Sequence, residues 1–180
     1  MINETRGRNS LRSPLGLKNE TRYKSVVVLR QGKDFIVVRD KKSGDWTFVV
    51  GGCKLGENSK NCARRELREE TRNTIRANHL NHLFHFMSTR RSRSEKAKNN
   101  AEGKRITMRY NVYKSNVNKN IRRIKNNFHR TRPRTNANAE TTNINKKSRE
   151  NLLRRGVMWD FMANHVLRRI PNTNRTRNRW

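Results

Sequence analysis

Residues 50–73 read VGGCKLGENSKNCARRELREETRN, and this stretch decides how the rest of the chain is understood. It holds four of the 14 acidic residues in a chain of net charge +30: Glu57, Glu66, Glu69 and Glu70. Glu66, Glu69 and Glu70 stand at i, i+3 and i+4, so a helix would place them on one face. Like charges at that spacing repel, and a purely structural helix gains nothing from them. A divalent cation reverses the balance, because hard cations prefer carboxylate oxygens. Gly51, Gly52 and Gly56 permit a tight loop that brings backbone and Glu57 towards the same face.

The order Gly51, five residues, Glu57, seven residues, Arg65-Glu66-Leu67-Arg68-Glu69-Glu70 resembles the signature of Nudix hydrolases, G-x5-E-x7-R-E-U-x-E-E-x-G-U, where U is bulky and aliphatic. A match of this length at fixed spacing is a specific signal. The departures come at its end, where Arg72 replaces the signature's glycine and Asn73 its aliphatic residue. That glycine normally helps the helix terminate.

The resemblance implies an α/β Nudix fold, a mixed β-sheet sandwiched between helices, and cleavage of a nucleoside diphosphate linked to another group. It implies Mg2+ or Mn2+ held by Glu66, Glu69 and Glu70, with the Gly51 carbonyl and Glu57 completing or supporting the site. Arg65, four residues before Glu69, is the arginine that orients the ligands. Glu66, Glu69 and Glu70 are thus the catalytic residues. One of the Glu69–Glu70 pair deprotonates the attacking water, unless a loop acid (Glu95, Glu102 or Glu140) does so.

Composition limits what surrounds this core. Only 31% of the chain is hydrophobic, so the core is modest. Forty-four Lys and Arg point to an anionic polymer as partner, with nucleic acid first and a membrane surface second. Cys53 and Cys62 have no companions for a zinc site and read as reduced, core-facing thiols of an intracellular protein. No apolar run approaches about 18 residues, so no membrane span is expected.

Read in order, residues 1–22 form a basic, flexible arm, 23–170 the folded domain, and 171–180 a basic tail. Strands are expected at Tyr23–Arg30, Asp34–Arg39, Trp46–Val50, Leu83–Met87 and Arg105–Lys114. The motif helix starts near Asn58 or Ser59, with Ala63 and Leu67 facing the sheet. Basic insertions are expected at about 88–104 and 115–139, the latter containing a helix over Ile121–Arg130 with Ile121, Ile124 and Phe128 inward. An edge strand at Glu140–Asn145 precedes a last helix capped by Ser148, broken near Gly156 and stopped by Pro171. Its inner stripe is Leu153, Val157, Phe161 and Val166.

Residues 103–139 contain no acid and eleven Lys or Arg. This exceeds what a small nucleotide needs and suits a polyanion gripped along its backbone. The candidate grip is Lys104, Arg105, Arg109, Arg122, Arg123, Lys125, Arg130, Arg132 and Arg134. Tyr110, Tyr113, Phe128 and Trp159 are core or rim aromatics with faces suited to stacking. A basic RNA-gripping surface beside a Nudix motif resembles mRNA-decapping enzymes, which release a methylated guanosine diphosphate from the cap, and most of all those of large DNA viruses. That resemblance implies capped RNA as partner and the host cytoplasm, or a virion, as location. The alternatives are hydrolysis of diphosphoinositol polyphosphates, of dinucleoside polyphosphates or of damaged nucleotides, or a basic nucleic-acid-binding or virion-packaged protein with a vestigial site.

Overall fold

The computed structural model describes residues 19–77, 79–91, 105–131 and 141–171. Seven strands form one mixed sheet: β1 (Asn19–Gln31), β2 (Asp34–Asp40), β3 (Trp46–Thr47), β4 (Val49–Gly52), β5 (Asn81–Arg91), β6 (Arg105–Asn116) and β7 (Thr141–Lys147). The main path runs β3-β2-β1-β6-β5, with β4 also on β1 and β7 on β2. β1 and β6 pair in parallel from Asn19↔Arg105 to Arg30↔Asn116, while the other pairs are antiparallel.

Alternation in the strands builds two cores. Val26, Val28, Phe35, Val37, Met108, Tyr110 and Val112 face one side, and Val27, Leu29, Ile36, Val38 and Tyr113 face the other. The helices α1 (Ser59–Glu70) and α2 (Ile121–Arg130) cover the second side through Ala63, Leu67, Ile124 and Phe128. The short α3 (Arg149–Leu152), α4 (Asp160–His165) and a 3-10 turn (Leu167–Arg169) cover the first through Leu152, Met162 and Leu167. The sheet is therefore sandwiched between helices, as expected. Both faces being covered explains why Val26 to Leu29 is an unbroken apolar run with no exposure. No helix among the described residues is long and apolar enough to cross a membrane.

The structure corrects several expected elements. β1 begins at Asn19, not Tyr23, because its polar start is carried by the parallel ladder to β6. The expected strand Trp46–Val50 is two strands. Trp46–Thr47 pairs with β2 and Val49–Gly52 with β1, and the chain changes neighbour at Phe48, buried edge-on against Phe35. β5 runs beyond both its expected ends, pairing with β6 from Asn81↔Lys114 to Arg91↔Arg105, and β6 runs on to Asn116 because its last residues pair with Leu29 and Arg30 of β1.

The last helix is in three pieces. Gly156 (φ 73) breaks it, and residues 157–159 return to the sheet edge through Trp46 N–H→Val157 O and Trp159 N–H→Trp46 O. Arg149 then donates to the Leu167 and Ile170 carbonyls, folding the pieces together. The inner residues are accordingly Leu152, Met158, Met162 and Val166. Leu153, Val157 and Phe161 of the expected stripe are only partly buried.

Candidate active site

β4 sets Gly51 opposite Ser25 of β1, and α1 follows after a six-residue loop. Asn58 caps the helix, its side chain accepting from Asn61 N–H at 2.8 Å. The first turn is pinned to the sheet, because Ser25 Oγ donates to Ser59 O (2.6 Å) and Ser59 Oγ lies 2.5 Å from the Tyr113 hydroxyl. With that end fixed, the buried side of α1 presents Cys62, Ala63, Glu66, Leu67 and Glu70 to the sheet.

Two of the buried residues are carboxylates, with Glu66 9% and Glu70 8% exposed. Glu66 lies directly over Gly51: a Cβ at that glycine would sit 1.8 Å from the Glu66 Cδ. The glycine is therefore required by close approach, and the Gly51 backbone and the Glu66 carboxylate share one small space.

Arg65 is the hub of the remaining contacts. Its Nη1 donates to Glu66 Oε1 (2.7 Å) and Glu69 Oε2 (3.0 Å). Its Nε and Nη2 donate to the two Glu57 oxygens at 3.0 and 2.8 Å, and Nη2 also reaches Gly52 O at 2.8 Å. The expected contact to Glu69 is present, and those to Glu57, Glu66 and Gly52 tie loop and helix together. The Arg65 hydrogen bonds, assisted by Lys54 N–H, hold the Glu57 carboxyl down at about 2 against partial desolvation. The same pairing raises the Arg65 pKa above its usual value. Both Glu57 oxygens face Arg65, and the geometry makes Glu57 an anchor for that arginine. Glu69 points outward, its side chain 51% exposed.

Cys53 and Cys62 form a disulfide, contrary to the reduced thiols expected. The loop after β4 folds back over the first turns of α1 and brings their Cα atoms to 5.1 Å, within disulfide reach. The tight cluster of metal-ligating residue types among the described residues is Cys53, Glu57 and Cys62, not the helix glutamates. It does not suit an ion, because its sulfurs are joined to each other and its carboxylate to Arg65. The helix carboxylates with the Gly51 carbonyl are an all-oxygen set, the chemistry that Mg2+ and Mn2+ take. The space over Gly51, kept clear of any Cβ and lined by a buried carboxylate, fits such a group.

Arg72 and Asn73, the two departures from the motif, adopt the left-handed conformation themselves, with φ 51 and 57. Asn73 N–H bonds Arg68 O (2.8 Å) and Arg72 N–H bonds Glu69 O (3.2 Å), the pattern a glycine usually permits at a helix end. The Arg72 side chain leaves the active site. It donates to the carbonyls of Phe128, Thr131 and Thr141 and lies 4.1 Å from the Phe128 ring centre. It is a strut between α1 and the end of α2, and its partial burial lowers its pKa.

A cavity of about 800 Å3 opens beside the motif, where Gly52 and Glu57 meet Arg22, Tyr23, Lys24, Lys54 and Arg109. Of the basic residues picked out in the sequence, Arg109 lies here, Arg122 and Arg123 are exposed on α2, and Lys125 is half-buried there. Arg130 lines a second cleft between α1 and α2. Arg105 lies in β6. Lys104, Arg132, Arg134 and the alternative acids Glu95, Glu102 and Glu140 are outside the described residues. Tyr110, Tyr113 and Phe128 are buried, whereas Trp159 is 39% exposed. The sequence reading missed Arg22, Lys24 and Lys54 of the cavity. The signal for the first two was their place on a strand end, which becomes a cavity wall only when β6 lies alongside.

A strand, a glycine turn and a helix of glutamates steadied by one arginine are the parts of which the Nudix motif is built. Residues 21–131 match the model of the NUDIX domain, and the chain belongs to that family of hydrolases acting on diphosphate bonds. Three solved structures share the fold. A Caenorhabditis elegans Ap4A hydrolase complex is 19% identical, with TM-score 0.51, and covers 82% of this chain and 93% of its own. The Bacillus subtilis pyrophosphohydrolase BsRppH is 18% identical, with TM-score 0.52, and covers 93% and 83%. The NUDIX domain of Shewanella oneidensis NrtR, complexed with ADP ribose, is 14% identical, with TM-score 0.52, and covers 82% and 85%. No curated protein matches the chain in sequence.

Proposed function

We propose that this chain is a metal-dependent pyrophosphohydrolase that cleaves the 5′ cap of mRNA and releases m7GDP. The observation that carries the reading is the cavity beside the motif, whose wall has four cations, Arg22, Lys24, Lys54 and Arg109, and an exposed aromatic ring, Tyr23. Such a wall suits a polyphosphate bridge flanked by nucleosides, with phosphates on the guanidinium and ammonium groups and a base on the ring.

Glu66, Glu69 and Glu70, with the Gly51 carbonyl, would hold Mg2+ or Mn2+. Such an ion, when bound, would supply charge neutralisation on the phosphates and a water acidic enough to ionise near neutral pH. Arg65 fixes the Glu66 and Glu69 carboxylates, and Glu57 fixes Arg65. The proton of the attacking water passes to a carboxylate of the Glu69–Glu70 pair. A cap is itself a dinucleoside triphosphate. The fold shared with an Ap4A hydrolase therefore favours a second reading, hydrolysis of free dinucleoside polyphosphates.

The test is RNA with a radiolabelled methylated cap, incubated with Mg2+ or Mn2+ and resolved by thin-layer chromatography, with Glu70→Gln as control. Release of m7GDP by the wild type alone is the expected result. Cleavage of Ap4A with no release from capped RNA would replace the first reading by the second.

A further inference from the structure

Behind α1, on the side away from its buried glutamates, lies a cleft of about 790 Å3 whose charged lining consists of Arg64, Arg68, Arg72, Arg76, Lys119 and Arg130. Among the described residues no carboxylate lines it, and the rest of the lining is Leu67, Asn73, Thr74, Ala77, Asn127 and Thr131. We propose that this cleft is a docking groove for the ribose-phosphate backbone of single-stranded RNA, separate from the hydrolytic centre. The proposal rests on the reading of a capped-RNA substrate and names where the body of that RNA is held.

Helix geometry separates the two sites. At about 100° per residue, Arg64 and Arg68 point roughly 160–200° away from Glu66. Arginines then recur every fourth residue, at 64, 68, 72 and 76, and extend the row past the helix end. Arg72 is committed to the carbonyls of Phe128, Thr131 and Thr141, so it builds the wall and leaves the binding to the others. Among the described residues Arg64 and Arg68 bond only to Asn61 Oδ1 and to the Arg64 carbonyl, and Lys119 reaches the Thr74 carbonyl at 3.4 Å. None of Arg64, Arg68, Arg76, Lys119 or Arg130 is ion-paired with a carboxylate among the described residues. Five uncompensated cations converging on one concavity repel one another, and a run of phosphates removes that cost.

The shape selects the partner. A lipid surface meets cations that project from a flat or convex face, whereas these line a concave cleft. Among the described residues no aromatic side chain lines it, so binding is to the backbone and independent of base sequence. The cleft shares no lining residue with the cavity beside Gly52 and Glu57, and occupying both suits a polymer rather than a free dinucleotide.

The experiment uses the full chain and a capped single-stranded RNA, with binding followed by fluorescence anisotropy from about 50 to 200 mM salt. The variant is Arg64→Ala/Arg68→Ala/Arg76→Ala/Lys119→Ala, and Arg64→Lys/Arg68→Lys keeps the charge. The quadruple variant is expected to bind RNA on the order of tenfold or more weakly, with the log–log salt slope reduced by about 0.7 per lost cation. Its kcat and KM on Ap4A stay at wild-type values, which also shows that it is folded, and KM alone rises for capped RNA. The lysine variant retains the wild-type slope. Wild-type RNA affinity and slope in the quadruple variant would overturn the proposal. So would cleft-dependent binding to phosphatidylserine vesicles with none to RNA. Cleft-dependent RNA binding by a protein that does not cleave caps upholds the groove and removes the decapping reading.

Discussion

Gly51 and Gly52 are neighbours in sequence, and alanine at each should have opposite consequences. A Cβ on Gly51 lies 1.8 Å from the Glu66 Cδ, whereas non-bonded carbons rest at about 3.5–4.0 Å. The carboxyl must retreat by roughly 2 Å, and Glu66 is nine-tenths buried with its Oε1 on Arg65, so the retreat breaks that 2.7 Å contact. Gly52 has nothing within 4 Å of its Cβ position, and neither glycine has a positive φ, so backbone strain does not enter. A misplacement of about 1 Å in a catalytic group can cost ~10²-fold in rate, about 2.7 kcal/mol in barrier. Gly51→Ala should therefore lower kcat by at least about 100-fold, at a stability cost of only about 1–3 kcal/mol from overpacking. Gly52→Ala should stay near wild type in both. The assays are hydrolysis of Ap4A and capped RNA, Mn2+ affinity by calorimetry, and thermal unfolding. Wild-type turnover and Mn2+ binding in Gly51→Ala would refute the reasoning, as would equal damage from Gly52→Ala.

Arg72→Ala should destabilise the fold by about 2–4 kcal/mol in urea unfolding, through three lost charged hydrogen bonds and the contact with Phe128. Arg72→Gly should regain about 1 kcal/mol of this, since it removes the strain of a left-handed non-glycine residue. Glu57 has a folded pKa of about 2 against 4.5 for the free group, so the unfolded chain binds more protons between those values. Its contribution is full above pH 4.5 and is lost as the pH falls towards 2. In acid titration Glu57→Gln should therefore flatten that limb, and an unchanged limb would count against the pairing with Arg65. Reduction of Cys53–Cys62 should cost about 2.6 kcal/mol for a loop of nine residues, roughly 5–10 °C in melting temperature, and identical melts with and without reductant would deny the bond.

The strands and α1 were legible because their patterns are local. Alternation in Arg105–Lys114 and the Asn58 cap depend on residues within a turn or two of each other. The Glu66–Gly51 approach was implicit in the motif but not its tightness, which depends on β4 pairing with β1. The role of Arg72 was not legible. Its partners Phe128, Thr131 and Thr141 lie 56 to 69 residues away, and nothing near it in sequence names them. The disulfide was missed because two cysteines without companions read as thiols until the loop is seen to fold back on the helix. The C-terminal stripe failed for a related reason. Gly156 does more than break a helix: it turns the chain so that residues 157–159 rejoin the sheet, and the inward positions shift.

The parallel pairing of β1 with β6 has a consequence for how the chain is made. β1 to β4 and α1 leave the ribosome as a hairpin, a returning strand and a helix, but β1 has one edge uncovered until β6 arrives. At about 5–20 residues per second, the roughly 85 residues between Gln31 and Asn116 take about 4–17 seconds to follow. During that interval Val26–Leu29, the fully buried apolar run of β1, offers unpaired backbone groups to any other extended segment. The glutamates and glycines of the motif are all synthesised early. They are held in a half-built sheet until a strand containing none of them covers the open edge of β1.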